Sequence, residues 1–200
     1  MKNPNPDLIN QIKNATLKLL AEKEPEEISM REIAGNCGIA ATTLYYYFRD
    51  RERLFQAVKK ECLESMDRFI ARRIGAQGNR NPANALRTTL KAIRDWAFRN
   101  PGIALLIMDR SKPITDPESP EAAQNYKTIL LGKTFLDKAV SAGQAKSRDT
   151  LMDSSLCIAA LWGAIESALT NRTAPQYRDM GLRFTNRMIN FCCRAMRMPR

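Results

Sequence analysis

The sequence contains no histidine. That excludes imidazole metal sites, Ser-His-Asp and Cys-His catalysis, and histidine-based pH switching. The five cysteines, Cys37, Cys62, Cys157, Cys192 and Cys193, are odd in number and form no C-x-x-C pair. Neither a disulfide framework nor a zinc site is indicated, and scattered thiols among apolar residues fit a reducing compartment. Long hydrophobic runs are missing too. The longest apolar stretch, 156–165, falls far short of the roughly 20 residues a membrane span needs. The N-terminal MKNPNPDLINQIKN is polar and lacks the apolar region of a secretory signal. No alternating run of Val, Ile, Thr and aromatics is long enough for a strand. These absences predict an all-α, cytoplasmic protein with no membrane partner, no metal and no cofactor.

What is present is enough for a core. The chain has 200 residues, 44% of them hydrophobic, which suits one large domain or two small ones. The formal net charge is +11. That surplus points to an anionic partner without choosing among nucleic acid, membrane and acidic ligand. Residues 1–74 carry a net charge of only +2, and residues 75–200 carry +9. Basicity alone therefore cannot locate a DNA-binding segment.

Apolar periodicity predicts about nine helices. Leu8, Ile12, Ala15, Leu19 and Leu20 line the first, over about 7–23, and Pro25 breaks it. Ser29-Met30-Arg31-Glu32 has capping-box form and starts the second, which ends at Cys37-Gly38. A short third helix holds Thr42 to Phe48, and Asp50 caps a long fourth with Leu54, Val58, Cys62, Met66 and Ile70 four apart. Loops are expected over 75–81 and 111–120, the latter carrying three prolines. Between them lie a fifth helix, from Pro82 to near Asn100-Pro101 and lined by Leu86, Leu90, Ile93 and Ala97, and a short sixth over 102–110. The seventh, eighth and ninth are expected over about 120–142, 148–170 and 175–197.

Residues 29–48, SMREIAGNCGIAATTLYYYF, have the spacing of a helix-turn-helix. Ile33, Ala34, Ile39, Leu44 and Phe48 would face inward, and Gly38 supplies the freedom the turn needs. Ala41, Thr42, Thr43, Tyr46 and Tyr47 remain outward, a face of hydroxyls and aromatic edges with little charge. In this motif the second helix enters the major groove of a duplex. Thr42 and Thr43 can donate to phosphate or touch a thymine methyl, and the Tyr45, Tyr46 and Tyr47 hydroxyls can reach phosphate oxygens. Arg49 and Arg51 follow the short helix, placed for phosphate. Ser29 and Arg31 open the preceding helix, and Arg31 has the fork to read guanine bidentately.

Residues 12–55 resemble the N-terminal domain of tetracycline repressor-type (TetR) transcription regulators. The resemblance rests on Ala21-Glu22-Lys23, Arg31-Glu32-Ile33-Ala34, Gly38-Ile39, Thr43-Leu44-Tyr45, Phe48 and Arg51-Glu52-Arg53-Leu54. Five positions depart from the family pattern. Glu24 stands for Gly, Ala40 for the Ser that caps the recognition helix, Ala41-Thr42 for Lys-Gly, and Tyr47 for His. Losing the cap costs about 0.5–2 kcal/mol.

The resemblance implies a three-helix DNA-binding domain over 1–50 and a larger helical effector-binding and dimerisation domain over 51–200. It implies a homodimer paired through the last two helices. There Ala159, Gly163 and Ser167 form a ridge of small residues beside Trp162 and Ile165, and Phe184, Met188 and Phe191 line the ninth helix. A dimer sets two recognition helices about 34–36 Å apart, so the operator in double-stranded DNA is palindromic. The resemblance also implies a small-molecule effector among the middle helices. Its pocket would draw on Met66, Ile70, Leu90, Trp96 and Ile103, and further on Ile107, Met108, Tyr126, Leu130 and Phe135. The basic C-terminal half leaves an anionic effector open, with Arg87, Arg94 and Arg110 as partners. The function so read is that of a ligand-released repressor. Its rivals are a DNA-organising protein without a pocket and a helical enzyme acting on an acidic metabolite; the latter is disfavoured because no convergent catalytic set is visible.

Overall fold

A computed structural model describes residues 5–75, 80–108 and 120–199. Residues 76–79 of one expected loop, the loop of 111–119, and Arg110 lie outside the described residues. Among those described there are nine α-helices and no strand. They are α1 (Pro6–Glu22), α2 (Met30–Asn36), α3 (Ala41–Tyr47), α4 (Arg51–Ile74), α5 (Pro82–Arg99), α6 (Pro101–Met108), α7 (Pro120–Ser141), α8 (Thr150–Leu169) and α9 (Gly181–Ala195). The all-helical class read from periodicity is the one observed.

The chain forms two compact units, Met1–Glu64 with Asn100–Asp109 and Ser65–Arg99 with Arg110–Arg200. The first unit thus runs past residue 50 into α4 and takes in α6. Its helices start and stop where side chains satisfy their ends. Asn5 caps α1 by accepting the Asp7 N–H at 3.0 Å, with Pro6 in the first turn. Ser29 Oγ accepts the Glu32 N–H at 3.2 Å and starts α2. Asp50 Oδ1 accepts the Arg53 N–H at 2.8 Å and starts α4. Ile12, Leu20, Ile33, Leu44 and Leu54 are the fully buried anchors. Each such side chain contributes about 1.5–3 kcal/mol through burial. α6 packs on α1 so closely that a Cβ on Gly102 would lie 1.7 Å from the Leu20 carbonyl oxygen.

In the second unit α5 packs on α7, α8 and α9, α7 on α8, and α8 on α9. Leu86, Leu90, Ile93 and Ala97 of α5, Leu136 of α7 and Ile165 of α8 are buried there. α7 ends where Gly143 takes φ +69, with the Gln144 N–H on the Ala139 carbonyl at 2.8 Å. Asp149 caps α8 by accepting the Leu151 and Met152 N–H groups. One expected boundary differs. Pro175–Met180 is a 3-10 turn, and the α-helix begins at Gly181. The turn from 3-10 to α coincides with a tight seat, since a Cβ on Gly181 would lie 2.9 Å from Phe98.

Candidate nucleic-acid interface

The turn between α2 and α3 is built by the backbone. Gly38 adopts φ +65, its N–H donates to the Gly35 carbonyl, and the Ile39 N–H reaches back to the Ala34 carbonyl, both at 3.1 Å. This pair of bonds closes a Schellman motif, which an L side chain at 38 would strain. Gln11 Nε2 donates to the Cys37 carbonyl at 3.0 Å and ties the turn to α1. Burial pushes the Cys37 thiol above its ordinary pKa, so this cysteine behaves as a packing residue. Lys23 donates to the Glu32 carboxylate at 2.5 Å, joining the end of α1 to α2. That hydrogen bond and the ammonium charge hold Glu32 below the usual carboxylate range, and the same bond with the carboxylate charge raises Lys23.

Leu44 is fully buried and sets the rotation of α3. Thr42, Tyr45 and Tyr46 are left outward, with Tyr45 50% and Tyr46 63% exposed. Ala41 and Thr43 are half-buried. Tyr47 is also half-buried; its ring meets Tyr46 edge-on at 5.4 Å, and its hydroxyl accepts the Asn5 N–H at 3.3 Å. Tyr47 thus secures the start of α1. Ser29, Arg31 and Arg49 are exposed beside this face. Arg51 is turned the other way. Its Nε donates to the Ile28 carbonyl at 2.9 Å, its Nη2 donates to the Pro25 carbonyl, and its guanidinium lies 4.3 Å from the Phe55 ring centroid. The charge next to α3 that reads as a phosphate contact is committed to the protein's own backbone.

The expected effector residues divide between the units. Ile103, Ile107 and Met108 are half-buried on α6 of the first unit. Met66, Ile70, Leu90, Trp96 and Phe135 are buried in the second. Tyr126 and Leu130 are exposed on α7. Two arginines considered for an anionic ligand have protein partners. Arg87 donates to Asn190 Oδ1 at 3.1 Å, and Arg94 donates to Asn186 Oδ1 at 3.1 Å and to Asp95 at 2.6 Å.

On α8, Ala159 and Gly163 are exposed, and Trp162 and Ser167 are half-buried. Ile165, expected at the interface, is instead fully buried within its own unit, on the opposite side of the helix. The sequence reading missed Met152 and Leu156, which are 56% and 59% exposed on the same face as Ala159 and Gly163. Their spacing of three to four residues was the available signal. On α9, Phe184 and Met188 are half-buried and Phe191 is 72% exposed. Among the described residues, no group of three His, Cys, Asp or Glu side chains could hold a metal ion. No described helix is long and apolar enough to cross a membrane.

Residues 12–58 match the family of bacterial regulatory proteins described as the tetR family. Among proteins with curated descriptions none matches the chain significantly. Solved structures resemble it along nearly its whole length. A TetR transcription regulator from Haloarcula marismortui superposes with a TM-score of 0.75 at 18% identity, covering 96% of this chain and 99% of that one. A bacterial regulatory protein of the tetR family from Rhodococcus RHA1 gives 0.72 at 19% identity, covering 98% and 100%. RolR in complex with its ligand resorcinol gives 0.63 at 18% identity, covering 97% and 96%. At these identities the likeness establishes a shared fold.

Proposed function

We propose that this chain, whose residues 12–58 match the tetR family of bacterial regulatory proteins, is a homodimeric, sequence-specific DNA-binding repressor of that family. The observation that carries this reading is the outward face of α3. Buried Leu44 fixes a helix that presents Thr42, Tyr45 and Tyr46 to the outside, flanked by exposed Arg31 and Arg49. Tyr45 and Tyr46 each keep at least half of their surface unburied by the protomer itself. Against a duplex they supply contact area and hydroxyls for phosphate. In this proposal the first unit is the DNA-binding part, and Arg51 supports α2 and α3 without touching the duplex.

The second unit supplies the pairing surface. In this proposal it is made of exposed Met152, Leu156, Ala159 and Gly163 on α8 with half-buried Phe184 and Met188 and exposed Phe191 on α9. A twofold axis through that surface pairs two copies and presents two recognition helices about 34–36 Å apart. A palindromic operator follows. A small-molecule effector completes the proposal, supported by the fold shared with resorcinol-bound RolR. Its candidate walls in the second unit are Met66, Ile70, Leu90, Trp96 and Phe135. Release requires that the effector bind the two states of the dimer with different affinity.

Selection of bound genomic fragments, footprinting and titration at two salt concentrations test the reading together. Binding through about 6–10 phosphates loses roughly 10³–10⁵ in affinity between 50 and 200 mM salt. A salt-independent affinity, or no retained fragment, would overturn it. Small-molecule competition for the selected duplex separates a repressor from a DNA-organising protein.

A further inference from the structure

The exposed face of α3 has an unusual inventory for a surface that reads bases. Between Asn36 and Arg49 the chain has no Arg, Lys, Asn, Gln, Asp or Glu. Those are the side chains that read guanine, adenine and cytosine through paired or single hydrogen bonds in the major groove. The outward positions are Ala40, Thr42, Tyr45 and Tyr46, with Ala41 at their edge. They offer methyl groups, ring edges and hydroxyls. In the major groove the one base feature complementary to a methyl or a ring edge is the C5-methyl of thymine.

The neighbouring polar groups do not change this inventory. Asn36 lies on α2, where its Nδ2 donates to the Glu32 carbonyl at 3.0 Å. Arg51 is committed to the Ile28 and Pro25 carbonyls. Arg31 and Arg49 lie off the exposed face of α3, one in α2 and one after the helix has ended.

We infer that α3 reads its operator through thymine methyl groups, with Thr42 and Ala41 as the methyl-contacting residues and the Tyr45 and Tyr46 rings packing beside them. This deepens the DNA-binding reading and rests on it. The recognition is apolar burial, not hydrogen-bond pairing. Sequence preference is therefore set by where thymines stand in each half-site, and the arginines contribute position on the backbone.

The experiment uses the full-length protein and a duplex selected from a random-sequence library. The duplex is remade with deoxyuridine at every thymine, which removes only the methyl groups, and separately with 7-deazaguanine, which removes the acceptor an arginine would read. Each contacted methyl is expected to be worth about fourfold in affinity. With one or more contacts in each half-site, the deoxyuridine duplex binds about an order of magnitude more weakly, while the 7-deazaguanine duplex binds like the parent. Single deoxyuridine substitutions place the loss at thymines whose major-groove edge faces α3. Thr42→Ser removes the side-chain methyl and narrows the ratio between the thymine and uracil duplexes. Thr42→Val keeps a methyl, removes the hydroxyl and preserves that ratio. Equal affinity for the thymine and uracil duplexes, or a larger loss with 7-deazaguanine, overturns the inference and leaves DNA binding intact. Failure to select any duplex sinks the DNA-binding reading itself, and the inference with it.

Discussion

Arg51 and Ile28, twenty-three positions apart, are joined by a hydrogen bond of 2.9 Å from the guanidinium Nε to the main-chain carbonyl. A second guanidinium nitrogen serves the Pro25 carbonyl, and the plane stacks on Phe55. One side chain at the start of α4 thus fastens the connection between α1 and α2. Hydrogen bonds to a charged donor are worth about 1.5–3 kcal/mol, and a partly exposed cation–π contact adds about 0.5–1 kcal/mol. Arg51→Ala is expected to lower unfolding stability by about 2–3 kcal/mol in urea titration. Arg51→Lys recovers little, because an ammonium cannot fork between two carbonyls and stack. DNA affinity falls in both variants with an unchanged salt slope. A slope reduced by about one would instead place Arg51 on a phosphate.

Three glycines order themselves by what a methyl group would meet. At Gly102 it would strike the Leu20 carbonyl oxygen, which is backbone and cannot swing away. At Gly132 it would meet Ser154 Oγ at 2.4 Å, a side chain able to rotate at the cost of its bond to the Ile129 carbonyl. At Gly35 it would meet nothing within 4 Å. Gly102→Ala is expected to cost about 3 kcal/mol or more and Gly132→Ala about 1–2 kcal/mol. Gly35→Ala, in a helix, gains about 0.5–1 kcal/mol. Thermal unfolding of the three proteins checks the order; an equal effect of the first and third would contradict the close seat of α6 on α1.

Local chemistry was readable in the sequence wherever the cause lies within a few residues. Ser29, Gly38 and Asp50 announce the ends of α2 and α4 because each acts on groups at most three positions away. The outward face of α3 was readable only in part: Thr42 and Tyr46 are exposed as expected, but Tyr45 is exposed too, while Ala41, Thr43 and Tyr47 are half-buried, Tyr47 through its contacts with Asn5 and Tyr46. What escaped depends on distant partners. Arg51 reads as a phosphate ligand because the carbonyls that claim it lie more than twenty residues upstream. Helical periodicity shows that α8 has apolar residues on more than one side. It does not say that Ile165 faces the chain's own core while Leu156 faces out. The seat of α6 against Leu20 depends on the absence of a side chain at Gly102, which a pattern of apolar residues does not register.

The pair Lys23–Glu32 predicts a pH response at the helix-turn-helix. Glu32 is held below its ordinary range chiefly by the hydrogen bond from Lys23. A carboxylate lowered in the folded state stabilises it above the unfolded carboxylate pKa of about 4.3, and that contribution is lost as pH falls through the folded value. Lys23 is raised by the same bond, so its contribution is full below about pH 10.4 and lost as pH rises through its folded value. In a carboxyl NMR titration, Glu32 should have a midpoint below that of an exposed glutamate. In Lys23→Met the midpoint should return towards the ordinary value. A midpoint unchanged by that substitution would mean the two side chains do not pair in solution.

The proposed pairing surface can be tested without touching the fold of the protomer. Leu156 and Phe191 are exposed in the single chain, so a carboxylate at either site remains hydrated and should leave helix content and unfolding stability nearly unchanged. In a dimer joined through α8 and α9 the same carboxylate is buried without a partner, a cost of several kcal/mol per ion, incurred twice by symmetry. Leu156→Glu and Phe191→Glu should therefore sediment as monomers at concentrations where the parent chain is dimeric. Their affinity for a palindromic duplex should fall steeply, because one protomer can hold only one half-site. By contrast Gly163→Ala adds a methyl that meets nothing within 4 Å in its own chain, so any effect on association comes from the partner's approach. Full dimerisation of Leu156→Glu and Phe191→Glu would move the interface off these two helices.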